Sequence, residues 1–222
     1  MNDASPRSRP DAADSARSKP ARARGPSLGK TIQTRRAITA AALSEFLEKG
    51  FAKATMDAVA KRAGVAKGTP YRYFTTKEAL FEGVVREEIA GAFVDVNPAN
   101  RAPGELVGAF LRRTMLVAIR DIETKGRAPI ARLVLAEGGR FPALVEIYRR
   151  EMIDPLVAQI RDLAVAARAS GELSGDRLVD CPHLLIAPIW YGIIYNGVFD
   201  PTRSLNIADL FEAQLDMVFR RN

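Results

Sequence analysis

The sequence predicts an all-α protein in which a small three-helix unit precedes a larger helical part. Three observations carry that expectation. Apolar residues recur at helical spacing along most of the chain. No run alternates with the period of two that a half-buried strand requires. The breaks between periodic segments are short Gly- and Pro-rich clusters such as "NPANRAPG", "TKGRAP" and "DPTRS". With 47% hydrophobic residues in 222 positions, the chain can bury one sizeable core or a small domain joined to a larger one.

Residues 1–30 are built from Ala, Ser, Pro, Arg and Asp with almost no large apolar side chain, and are expected to form a flexible basic arm. From Thr31 to Leu47 the stripe Ile38, Ala41, Ala42, Phe46 predicts the first helix, stopped by Gly50 with Lys49 in its last turn. A second helix is expected after Thr55 as N-cap. Asp57 lies near the positive end of its dipole, and the stripe runs Met56, Val59, Ala60, Ala63 before Gly64. A very short third helix follows around "TPYRYF", with Thr69 as N-cap and Pro70 at its first position, where a missing N–H costs nothing. Thr75 and Glu78 have capping-box spacing ahead of a fourth helix over residues 76–95. Further helices are expected over roughly 104–120, 128–138, 142–169 (broken at Asp154-Pro155), 180–199 and 205–220.

Charge divides the chain in the same way. Residues 1–30 carry net +4, residues 31–78 net +5 and residues 79–222 net −2. A cationic first third beside a mildly acidic remainder points to a polyanionic partner for the N-terminal part. A helix of about eight residues, a turn containing glycine and a second short helix make the sequence form of a helix-turn-helix, whose second helix lies in the major groove of DNA. On that reading Lys67, Arg72 and Lys77 face phosphates or guanine edges. Tyr71 and Tyr73 donate hydroxyl hydrogen bonds, and Phe74 points inward.

The stretch "TMDAVAKRAGVAKGTPYRYFTTKEALF", residues 55–81, resembles the DNA-binding motif of the TetR family of bacterial transcriptional regulators, typically T-x-x-x-I/V-A-x-x-A-G-V-S-K-G-T-L-Y-x-Y/H-F-x-x-K-E-x-L. The resemblance extends back through "RRAITAAALSEFLEKGF" and weakens beyond residue 95. It implies a DNA-binding domain over 31–78 and a ligand-binding and dimerisation domain over 79–222. It implies DNA contacts from Thr55, Lys67, Gly68, Thr69, Tyr71, Arg72, Tyr73 and Lys77. Three positions depart from the pattern: Ala54 for a common Thr, Ala66 for a common Ser, and Pro70 where Leu or Ile is usual.

Between Leu184 and Phe199, twelve of sixteen residues are apolar and none is charged. A helix apolar on every side must be buried on every side, so one face is expected to meet a second copy of the chain. The expected interface holds Tyr195, Phe199, Phe211, Leu215 and Val218, and two-fold symmetry places the paired recognition helices ~34–36 Å apart over a palindromic operator. Phe110, Met115, Phe141, Tyr148, Trp190 and Tyr191 are the large side chains that could line a pocket for a hydrophobic or amphipathic small molecule. Pro188 could kink the helix beside them.

Catalytic chemistry finds no foothold. The single Cys181 and single His183 are two apart, so on a helix they diverge. No P-loop or GxGxxG is present, and Cys/His metal sites lack ligands, so neither a metal nor a cofactor is expected. One cysteine forbids an internal disulfide. No stretch suits a signal peptide or a membrane span, which together place the expected home in the cytoplasm. The functional expectation is a dimeric DNA-binding repressor released by a small ligand, or a regulator whose second domain is only a scaffold.

Overall fold

The computed structural model describes Met1 and residues 28–220; the remainder of the basic arm, and with it the expectation for that segment, lies outside the described residues. Among these residues the regular structure is helical, the sole β pairing being an isolated bridge between Leu173 and Phe219. The N-terminal unit holds α1 (Leu28–Lys53), α2 (Met56–Arg62), α3 (Thr69–Tyr73) and α4 (Lys77–Val84). α1 begins three residues before the expected start. It is interrupted at Gly50, whose φ of 76° separates the long helix from one further turn, Phe51–Lys53. α4 is capped by the Thr76 hydroxyl, which accepts from Ala79 N at 3.0 Å, so the cap is Thr76 rather than Thr75. Instead of one helix to residue 95, α4 passes into a π turn (Val85–Ile89) and a 3₁₀ segment (Ala90–Val96).

The C-terminal part holds α5 (Val107–Arg120), α6 (Arg127–Glu137), α7 (Pro142–Tyr148), α8 (Asp154–Ala169), α9 (Arg177–Asp180), α10 (His183–Ile194) and α11 (Ile207–Val218). The break expected at Asp154-Pro155 is a π turn, Arg149–Ile153, that ends just before it. Pro155 follows directly on that turn, and because the backbone stays helical through Ile153 and Asp154, its missing N–H leaves a carbonyl of the π turn without a helical donor. A third π turn, Tyr195–Phe199, extends α10.

One hydrophobic core runs through both parts. At the junction the rings of Phe46, Phe51 and Phe81 meet with centroids 5.5–5.8 Å apart. Phe51 also packs edge-on against Phe141 of the C-terminal part at 5.2 Å. Glu82 and Glu151 share Arg86 and Arg150, stitching α4 to the π turn after α7. The N-terminal unit is therefore held on the larger part by aromatic packing and a four-charge cluster.

Candidate nucleic-acid interface

Local chemistry explains the turn between α2 and α3. The Thr55 hydroxyl accepts from Ala58 N at 3.2 Å, starting α2, and keeps its own O–H free to donate outward. At the other end Gly64, with φ 67°, takes the left-handed conformation that side chains other than glycine resist. Its N–H reaches Lys61 O at 3.2 Å, Val65 N reaches Ala60 O at 3.0 Å, and Val65 packs on the core. Together these satisfy the last carbonyls of α2.

α3 begins one residue earlier than expected, with Gly68 rather than Thr69 at the cap and Pro70 inside the first turn. Pro70 is buried, so it fills inward space that a larger apolar side chain would otherwise take, and its missing N–H is one that the first turn leaves unpaired in any case. Phe74 closes α3, its N–H bonded to Pro70 O at 2.9 Å. Its ring is buried under the Arg35 guanidinium, 4.5 Å from the ring centroid. The same ring lies against Gly83 of α4: a Cβ at Gly83 would come within 2.5 Å of it, so glycine there is what lets α3 dock.

The consequence is an outward surface. Lys67, Gly68, Tyr71 and Arg72 are exposed, Tyr71 at 52%, while Thr69 and Tyr73 are half-buried. Lys67 is 80% exposed at its side chain and pairs with Asp57 of α2 at 2.8 Å. The hydrogen bond it donates to that carboxylate holds its ammonium above the ordinary lysine range. Exposed pairs of this kind are weak and exchange readily for a stronger anion such as phosphate. Arg62, by contrast, is exposed but engaged by Glu48 and Glu45. The buried Glu45 carboxyl is held below its usual range, first by the hydrogen bond from Lys49.

Lys77 departs from the expectation. Its ammonium donates to three backbone carbonyls, Phe51 O at 2.6 Å, Ala54 O at 3.1 Å and Ala52 O at 3.2 Å, and stands 4.5 Å from the Phe51 ring centroid. All three of its N–H groups are engaged inside the molecule. Facing it across the same turn, Glu137 at the end of α6 accepts from Phe51 N at 2.9 Å and Ala52 N at 3.0 Å. Phe51–Lys53 is thus a single helical turn capped by a carboxylate at its N-terminal N–H groups and an ammonium at its carbonyl end, the signs the helix dipole favours. Glu137, 86 residues from Phe51 in sequence, carries no local signal of this role.

The other proposed sites separate. Met115, Tyr148 and Trp190 line one internal cavity. Phe110 is buried but does not line it, Phe141 belongs to the junction with Phe51, and Tyr191 is 55% exposed beside Tyr195. Of the residues expected at a dimer contact, Phe211 and Leu215 are fully buried in their own chain and so cannot reach a partner. Phe199 is 69% exposed; Val218 and Tyr195 are half-buried. Among the described residues no cluster of three or more His, Cys, Asp or Glu could hold a metal, and no helix is long and apolar enough to cross a membrane.

Residues 38–84, from mid-α1 to the end of α4, match the bacterial regulatory proteins of the tetR family. The chain is 30% identical over 166 residues to the HTH-type transcriptional regulator UidR of Escherichia coli K12, an alignment that spans 72% of this chain and 80% of UidR. Its fold is similar to that of Salmonella enterica GusR (TM-score 0.63, 23% identity, 85% and 96% of the two chains). It is also similar to that of the flavonoid-responsive regulator FrrA (TM-score 0.58, 25% identity, 86% and 99%). With a helix-turn-helix exposed at α2–α3 and this likeness along most of its length, the chain belongs to the TetR family of DNA-binding transcriptional regulators.

Proposed function

We propose that the protein works as a homodimer on a palindromic operator, as a repressor that a small apolar or amphipathic molecule releases. The observation that carries the DNA half is the outward set Lys67, Gly68, Tyr71 and Arg72 on and just before α3, over a base of buried Pro70 and Phe74. Lys67 and the Tyr71 hydroxyl supply phosphate contacts, Thr55 donates to the backbone from the start of α2, and Arg72 reaches base edges. Selection of bound fragments from random DNA should return an inverted repeat; a single unpaired half-site would overturn the dimeric reading. Lys67→Ala should weaken binding to every sequence and lower the slope of log K against log salt by about 1.

Dimerisation rests on an aromatic ladder whose ends, Tyr191 and Phe199, are exposed and whose middle rung, Tyr195, is half-buried. Tyr191, Tyr195 and Phe199 succeed one another along α10 and its π turn with centroids 5.8 and 6.4 Å apart, and Val198, Leu184 and Met217 of α11 are also exposed. A contiguous apolar face of this kind in a chain of this size marks an interaction site, and two-fold pairing covers it with its own copy. Phe199→Glu should convert the dimer to monomer in sedimentation equilibrium and leave the helical circular dichroism unchanged. A variant that still sediments as a dimer places the interface elsewhere.

Ligand control draws on the internal cavity and on the response named for the similar regulator FrrA. A second reading, in which the C-terminal part is only a scaffold, draws on the cavity's size: about 30 Å³, against the ~300–1,000 Å³ usual for small-molecule sites. Linkage separates the two. A releasing ligand and DNA must weaken each other by the same factor, whereas a scaffold shows no such coupling with any compound.

A further inference from the structure

We infer that the cavity between α5, α6, α7 and α10 takes a carboxylate-headed amphiphile whose anionic group pairs with Arg127, an inference that rests on the sensing role proposed above and names its ligand class. The lining is apolar apart from the phenol of Tyr148 and one charge, Arg127, which opens α6. One guanidinium nitrogen of Arg127 donates to Ala118 O at 2.7 Å. Its Nε–H is buried and has no partner, the sole buried side-chain nitrogen or oxygen among the described residues in that condition. No carboxylate pairs with it, since Asp121 acts on it only through space, and desolvation holds the guanidinium below its ordinary range.

Arg127 as a whole is half-buried, but its Nε–H is a buried donor without an acceptor, and that costs free energy. A native fold that keeps such a group has a use for it. The guanidinium edge formed by Nε and its neighbouring nitrogen is a planar two-donor fork, which a carboxylate matches with two parallel hydrogen bonds. A trapped water is the simplest rival, because about 30 Å³ exceeds the ~10–15 Å³ of free space that one water needs. Water finds only its minimum of two polar partners in Arg127 and Tyr148 and neutralises no charge, and the rest of the wall is hydrocarbon, thioether and indole. Those walls fit a chain of methylenes or an aromatic ring behind the anionic head.

Space for that tail comes from walls built to rearrange. Ile89 and Met152 lie on π turns and Phe93 on the 3₁₀ segment, backbone departures that recur at functional hinges. Met115 and Met152 are unbranched and adapt to irregular shapes. Entry has a visible route. Tyr148 and Trp190, packed edge-on at 6.1 Å, form part of the cavity wall and also part of a surface groove of about 330 Å³ that runs along Val134, Leu135 and Val145. Parting that one aromatic pair joins groove to cavity.

Trp190 is the only tryptophan of the chain, so its fluorescence reports on the cavity without a label. The full-length protein is titrated, in the absence of DNA, with decanoate, decan-1-ol and decylamine, equal in chain length and different in head. Decanoate is expected to bind at least tenfold tighter than decanol, and decylamine weakest. Arg127→Met, close in length and uncharged, should erase the preference for decanoate and leave decanol affinity unchanged, while Arg127→Lys should keep part of it. Equal affinity of the wild type for decanoate and decanol overturns the anionic class but leaves apolar sensing intact. No response to any of the three overturns both. The headgroup comparison needs only wild-type protein, so it stands even if an Arg127 variant fails to fold.

Discussion

Replacing Lys77 by Met should lower the unfolding free energy by about 2–4 kcal/mol and leave the salt dependence of DNA binding unchanged. Hydrogen bonds to charged groups contribute roughly 1.5–3 kcal/mol each, and Lys77 makes three to Phe51, Ala52 and Ala54, part of which water recovers once the side chain is gone because Ala52 is exposed. Phe51 and Ala54 are buried, so their carbonyls have no such recourse. Methionine keeps apolar contact with the Phe51 ring and removes the donors together with the positive charge above that ring. In urea the midpoint should fall with the slope preserved, the signature of lost stability rather than a changed denatured state. Operator affinity itself should drop, because the turn that carries α1 into α2 is loosened, yet the slope of log K against log salt should stay as in the wild type. Lys67→Ala is the converse: a shallower slope on a protein of wild-type stability. A Lys77 variant that lost a unit of salt slope and no stability would restore it to the phosphate contacts.

The contrast between these two lysines shows where sequence reasoning reaches and where it stops. The turn at Gly64, the cap at Thr55 and the inward Phe74 all rest on spacing within a few residues, so local chemistry decides them; the cap of α4 falls one residue from the expected Thr75, on Thr76. Pro70 was legible as a first-turn residue, though not that burial would draw it inside and start α3 at Thr69. The long-range partners were not legible. Lys77 sits in a basic, exposed-looking stretch, and only the fold brings it to carbonyls 23–26 residues earlier. Phe211 and Leu215 follow an amphipathic stripe as well suited to a partner's surface as to the chain's own core, and periodicity does not distinguish the two. Tyr191 and Trp190 are adjacent in sequence and point to different fates, one to the outer ladder and one to the cavity, because neighbours on a helix do not share a face. Arg127 gave no signal at all: an arginine in "TKGRAP" reads as a solvated loop charge until the packing around it is known.

Glu137→Ala should cost about 2–3 kcal/mol of stability and, more informatively, test the proposed coupling between DNA binding and the internal cavity. The carboxylate accepts two backbone N–H groups of the turn that Lys77 holds from the other side, so both charges grip the peptide unit between Phe51 and Ala52 and polarise it in the same sense. Removing either leaves the other with a worse partner. The double variant with Lys77→Met should therefore lose less than the sum of the two single losses, by more than the roughly 0.5 kcal/mol within which independent sites add. The position of Glu137 gives the experiment a functional reading as well. It ends α6, and Arg127 in the cavity wall begins it; eleven residues of helix span about 16 Å. One rigid rod thus touches the cavity at its start and the DNA-binding unit at its end through Glu137 and, just beyond, through Phe141 on Phe51. If that rod carries the coupling, Glu137→Ala should still bind operator and still bind a cavity ligand, each measured alone. The factor by which one weakens the other should then fall toward 1. A variant that keeps the full factor despite its lost stability would route the coupling instead through the Arg86, Arg150, Glu82 and Glu151 cluster, the second bridge between the two parts.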